Sequence, residues 1–92
     1  MRRDDSFLFP PIKTTRTQDE RIQKVYDEIQ EFLEARESGD SRHADEEMID
    51  ILQTVETLVR GHFEGRDEML KATIAFVFQK CDGKGYYSKD CF

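Results

Sequence analysis

Apolar residues recur along this chain at helical spacing in three separate stretches. Ile22, Val25, Tyr26, Ile29, Phe32 and Leu33 form the first, one stripe on a helix that turns ~100° per residue. Thr17-Gln18-Asp19-Glu20 stands before it as a capping box, in which a hydroxyl and a carboxylate satisfy amides at the helix start. The stripe stops at Glu37-Ser38-Gly39-Asp40-Ser41, where Gly39 suits a left-handed C-cap and Asp40 or Ser41 suits the start of a second helix. Met48, Ile51, Leu52, Val55, Leu58, Val59 and Phe63 make the second stripe, which ends near Gly65. Met69, Leu70, Ile74, Val77, Phe78 and Cys81 make the third, which Asp82-Gly83-Lys84-Gly85 breaks. Ahead of all three, Phe7-Leu8-Phe9 runs into Pro10-Pro11, which excludes helix and favours an extended path. That apolar triplet is expected to pack on its own domain or on a partner subunit.

The pattern predicts an all-α fold with an extended N-terminal arm over residues 1–17, a helical domain over 18–81 and a short aromatic and basic tail over 82–92. Two long helices joined by a short turn make a hairpin. At 92 residues and 37% hydrophobic content, the hairpin and a third helix bury a thin core. A four-helix-bundle-type core formed on oligomerisation is the expected remedy, as a homodimer or homotetramer.

Composition narrows the function. Lys and Arg number 14 against 20 Asp and Glu, a net charge of -6, which is the wrong sign for gripping a nucleic-acid backbone. No stretch approaches the ~18 consecutive apolar residues of a membrane span. Met1-Arg2-Arg3-Asp4-Asp5 carries no apolar segment of a secretory signal, so the expected location is cytoplasmic. Cys81 and Cys91 have no second Cys or His pair to complete a zinc pattern, and read as free thiols in a reducing compartment.

The candidate chemistry lies in the acids. Glu28 and Glu31 share one face of the first helix at i, i+3, and Glu47 and Asp50 repeat the spacing on the second, with Glu46 alongside. At ~100° per residue, Glu28 falls at the edge of the first stripe beside Phe32, and Glu47 at the edge of the second beside Ile51 and Leu58. Antiparallel packing along the stripes would bring the four carboxylates together beside the core. Such a group repels itself unless a cation or protons intervene, and all-oxygen donors favour a hard divalent ion, Mg²⁺ or Mn²⁺, which in turn attracts phosphates. In a chain that is 37% charged, the same spacing also fits two solvated helix faces.

Arg21 to Ala35, a short Gly-Asp linker and Asp45-Glu46-Glu47-Met48-Ile49-Asp50-Ile51-Leu52-Gln53 together resemble the MazG-like family of nucleoside triphosphate pyrophosphohydrolases. That all-α family carries E-x-x-E on one helix and E-x-x-D on the next. The resemblance spans residues 10 to 87 and is similar in character to short, phage-type members, with Lys80-Cys81-Asp82-Gly83-Lys84-Gly85-Tyr86 in place of their Lys-rich, Gly-containing segment. A typical member has Arg where this chain has Lys84, which exchanges a bidentate phosphate contact for a point charge. The resemblance implies that Glu28, Glu31, Glu47 and Asp50 hold Mg²⁺, with Mn²⁺ as a substitute, and that Glu31 orients or deprotonates the attacking water. Glu47 is the second residue assigned to catalysis. Lys80, Lys84 and, in the arm, Lys13 are the candidate phosphate ligands. The implied reaction cleaves a (d)NTP to the monophosphate and pyrophosphate, with no nucleic-acid or membrane partner. A non-catalytic helical dimerisation module on the same fold is the alternative.

Remaining features have plainer readings. His43 and His62 sit on helix flanks as solvated or capping groups, and Glu34 and Glu37 face water. Tyr86 and Tyr87 either stack on a base or pack the tail. Glu56, two turns beyond Asp50, extends the acidic side as an outer group.

Overall fold

The Thr17 hydroxyl accepts from the Glu20 amide at 3.2 Å, and the Glu20 carboxylate accepts from the Thr17 amide at 2.9 Å, closing both halves of the capping box. From there α1 runs over Gln18–Ser38. It ends at Gly39, whose φ of 81° is open to a residue without Cβ, and the Gly39 and Asp40 amides return to the Arg36 and Ala35 carbonyls. The Asp40 carboxylate accepts from the His43 amide at 3.0 Å and starts α2, Ser41–His62. Gly65, at φ 73°, separates α2 from α3, Asp67–Gly83. This computed structural model describes residues 6–87, all of whose regular structure is helical, in three helices without a strand. The outer ends of the expected arm and tail, with Cys91, lie outside the described residues.

The chain divides into two units between His62 and Phe63. In the first, α1 and α2 form the predicted antiparallel hairpin. Its register is marked by Gln18, whose side-chain amide donates to the Leu58 carbonyl at 2.9 Å, and Gly61 leaves room for the ends of the Arg21 and Gln18 side chains. Buried and half-buried positions on α1 include Gln18, Arg21, Val25, Glu28, Phe32 and Ala35, and on α2 Ala44, Glu47, Ile51, Thr54, Leu58 and Gly61. Both rows step by three and four, the spacing of a two-helix seam.

That seam differs from the one expected. The helices meet along only one edge of their apolar stripes, through Val25 and Phe32 on α1 and Ile51 and Leu58 on α2, and Glu28 and Glu47 lie within the packed row instead of at its edge. Ile22, Tyr26, Ile29 and Leu33 are all exposed, Tyr26 by 66%, as are Met48 and Leu52 on α2. The reason is rotational. Ile29 follows Glu28 by one residue, about 100° around the helix, so a seam centred on Glu28 turns the stripe sideways. In an antiparallel pair, faces rotated the same way on both helices come to the same side of the hairpin. One side is therefore apolar, and the other carries Lys24, Glu31, Asp50 and Gln53.

The arm is tied to α2. Glu56 accepts from the Leu8 and Phe9 amides, each at 2.9 Å, and Arg60 donates to the Phe9 carbonyl at 2.8 Å while its guanidinium lies 4.0 Å from the centre of the buried Phe7 ring. Phe7 thus packs on its own domain, whereas Leu8 is exposed. In the second unit, only Leu70 of the third stripe is buried among the described residues. The Tyr87 ring stacks on Phe78 at 4.9 Å, and the Cys81 thiol beside its hydroxyl raises the phenol above its ordinary pKa.

Candidate metal centre

Glu28 and Glu47 come from opposite helices of the hairpin, and Asp50 lies one turn beyond Glu47. One carboxylate oxygen from each of the three falls within 4.8 Å of the others. The two glutamates are more than nine-tenths buried, at 7% and 8% exposure, and Asp50 is open to solvent. Glu28 Oε2 and Glu47 Oε2 are buried without a hydrogen-bond partner. Such oxygens are costly in a protein interior unless a cation or proton meets them.

Each glutamate is steadied on its other oxygen by a residue one turn earlier on its own helix. Lys24 Nζ is 2.8 Å from Glu28 Oε1, and His43 Nε2 is 3.5 Å from Glu47 Oε1. The two carboxyls are nonetheless shifted in opposite directions. The Lys24 hydrogen bond holds the Glu28 carboxyl below its ordinary pKa, against its desolvation, and the same bond raises Lys24. Desolvation pushes Glu47 above its ordinary value, and the facing Glu28 and the Glu31 charge push it further, opposed by His43. The pair therefore parts its protons unequally. Glu28 ionises first, and Glu47 keeps its proton longer.

The donors fit a hard divalent ion. All are oxygens, and their span is close to the ~4.2 Å between opposite ligands in a Mg²⁺ octahedron. Glu31 stands outside this trio. It is exposed, one turn from Glu28, and near enough to lower Glu28 through a side-chain hydrogen bond and to raise Glu47 through its charge.

Beside the carboxylates lies a cavity of about 270 Å³ that the sequence did not disclose. The arm supplies Ile12, Thr14 and Arg16 to its wall, α1 supplies Arg21, Lys24 and Glu28, and α2 supplies Asp50, Gln53, Thr54 and Thr57. Two acids and three cations thus share its wall with uncharged side chains. Of the three lysines expected to meet phosphate, Lys13 lines a shallower neighbouring hollow with Thr14, Thr15 and Arg16. Lys80 stands exposed on the last turn of α3, and Lys84 follows in the turn, its Nζ 5.9 Å from the Tyr86 ring centre. Both belong to the second unit. Glu56, expected as an outer acid of the site, is occupied in holding the arm.

The sequence reading took His43 as a solvated or capping group and gave no role to Lys24, Arg16 or Arg21. Lys24 and His43 carried a signal, the i, i+4 spacing to Glu28 and Glu47. Arg16 and Arg21 carried none, because their place depends on the path of the arm. Comparison with protein-family models, with curated proteins and with solved structures finds no match to this chain.

Proposed function

We propose that this chain is a Mg²⁺-dependent nucleotide pyrophosphohydrolase of MazG-like type, cleaving nucleoside triphosphates to the monophosphate and pyrophosphate in the cytoplasm. The observation that carries the reading is the pair of buried, unpartnered carboxylate oxygens on Glu28 and Glu47, with Asp50 beside them and a cation-lined cavity adjoining. Buried carboxylate oxygens left without a hydrogen bond are unfavourable in a scaffold and useful as ligands.

Glu28, Glu47 and Asp50 would hold the ion, Mg²⁺ or in its place Mn²⁺. When bound, it would neutralise phosphate charge and polarise the P–O bond under attack. Lys24 keeps Glu28 ionised and ready as a ligand. Glu31, exposed and outside the trio, is placed to orient a water and take its proton. The water oxygen then bonds to the α-phosphorus, the α–β anhydride bond breaks, and pyrophosphate departs. Positioning and charge supply most of what such a transfer requires.

The exposed apolar side of the hairpin supports self-association as a homodimer or homotetramer, each copy covering Ile22, Tyr26, Ile29, Leu33, Met48 and Leu52 of another.

Pyrophosphate release from mixed ribo- and deoxyribonucleoside triphosphates with Mg²⁺ tests the activity. Release is expected from the wild type, lost in Glu47→Gln, and lost in Glu31→Gln with Mn²⁺ binding retained. No release from any nucleotide would sink the enzymatic reading and leave the non-catalytic helical module.

A further inference from the structure

The cavity beside the carboxylates is amphoteric, and two of its three cations, Arg16 and Arg21, have no task in holding a metal. Arg21 is the clearest case. Its Nε is buried and without a hydrogen-bond partner, while Nη1 is fixed by Gln18 Oε1 at 2.9 Å. Gln18 is in turn anchored on the Leu58 carbonyl. The guanidinium is therefore held in one orientation with a donor left over. Arg16 reaches the same cavity from the arm, whose path is set by the Glu56 carboxylate and Arg60. Lys24 lies between them and Glu28.

We propose that Arg16 and Arg21 form an anion subsite under the arm, which takes the terminal phosphates of a polyphosphate chain, with Glu56 and Arg60 as positioning residues that hold the arm over it. The identification of the ligand as a polyphosphate rests on the nucleotide reading above. The subsite itself rests on the arginines and the cavity. Along α1, Arg21 and Glu28 are seven residues apart, about 10.5 Å of helix rise, so a ligand can meet the arginine with one end and the carboxylate-held ion with the other. Guanidinium groups suit this task because their planar donor forks match phosphate oxygens. A cavity of about 270 Å³ has room for a phosphate chain.

Gly61 offers a test that separates position from stability. An added Cβ there meets the Arg21 Nη1 and Gln18 Oε1 atoms, both at the ends of flexible side chains that can swing away. Gly61→Ala should therefore displace the guanidinium and keep the helix, in which alanine is the better residue.

The experiment is calorimetric titration of inorganic pyrophosphate into the full chain in EDTA, repeated for Arg16→Gln, Arg21→Gln and Gly61→Ala, with thermal melts of each. The wild type should bind, each arginine variant should lose about ten-fold in affinity, and Gly61→Ala should lose affinity with its melting temperature unchanged or raised. Unaltered affinity in both arginine variants, no binding by the wild type, or binding abolished instead by Lys80→Gln with Lys84→Gln would each overturn the subsite. Mn²⁺ binding is measured separately on the same proteins without phosphate. Its absence alongside intact, arginine-dependent pyrophosphate binding fails the metal reading alone.

Discussion

Glu28 and Glu47 meet across the antiparallel seam of the α1–α2 hairpin, each buried and each with one carboxylate oxygen that meets no donor unless Glu47 carries a proton. Two acids in that position oppose the packing that creates them. The hairpin tolerates the pair because Lys24 balances Glu28 and because the proton on Glu47 is held above its ordinary range.

Replacing one acid should therefore stabilise the metal-free protein. Glu47→Gln removes the repulsion and presents an amide to Glu28, and its melting temperature without metal should rise by a few degrees. Saturating Mn²⁺ should do the reverse ranking. At about a hundred-fold excess over Kd it adds roughly 2.7 kcal/mol to the wild type, about 10–20 °C for a domain this small, and little to Glu47→Gln. A wild-type melting temperature indifferent to millimolar Mn²⁺ and Mg²⁺ would refute the site.

The two glutamates also predict opposite pH dependences. Glu47, with its folded pKa raised by burial and by Glu28, contributes stability that is fully present below the ordinary value of 4.5 and is lost as pH rises through the raised value. Glu28, lowered by Lys24, contributes stability above that ordinary value, lost as pH falls through its lowered one. Metal-free melts between pH 4 and 7 should accordingly show wild type falling behind Glu47→Gln as pH rises. Mn²⁺ binding should tighten over the same interval with release of a proton, measurable by calorimetry in two buffers of different ionisation enthalpy.

Glu56 is expected to matter without touching the metal. Glu56→Gln sets an amide NH₂ against one of the two arm amides, and a hydrogen bond to a charged group contributes about 1.5–3 kcal/mol. The arm should open more often, which trypsin cleavage after Lys13 and Arg16 reports as a rate ten-fold or more above wild type. The catalytic efficiency kcat/KM should fall with Mn²⁺ affinity unchanged, since the three carboxylates stand on helices. Equal cleavage rates would show that the clasp is not what holds the arm.

Thr17→Ala should cost about 1 kcal/mol, a fall of roughly 4–8 °C, by opening the capping box. The Thr17 amide and hydroxyl lower the Glu20 carboxyl, so this cap contributes above the ordinary carboxylate range and is lost as pH falls through the lowered value. The larger part of that lowering comes from the Thr17 amide, which Thr17→Ala retains, and the hydroxyl itself does not titrate, so most of the gap between wild-type and variant melts should persist in acid. A gap that closes as pH falls would assign the stabilisation to the Glu20 carboxylate instead.

The ends of the helices were legible because their causes are local. Thr17 and Glu20 bond each other within one turn, Gly39 needs only its own left-handed backbone, and Asp40 reaches an amide three residues on. The convergence of Glu28, Glu47 and Asp50 was legible for a related reason, since i, i+3 spacing and a tight turn leave few ways to arrange two antiparallel helices. Lys24 and His43 lay within the same local rules and were recognisable from i, i+4 spacing to the acids they serve.

By itself, then, the sequence determined three helices, their caps and the facing of acid on acid, all consequences of hydrogen bonds and periodicities that close within a turn or two. Tertiary structure decided which side of each helix enters the seam, and so turned Ile22, Tyr26, Ile29 and Leu33 outward and Glu28 and Glu47 inward. It alone brought the arm onto Glu56 and Arg60 across some 47 to 51 residues, making a cavity of Arg16, Arg21 and Lys24. Helix rotation and arm path are settled by free energies summed over whole surfaces, to which no short stretch of sequence carries a matching signal.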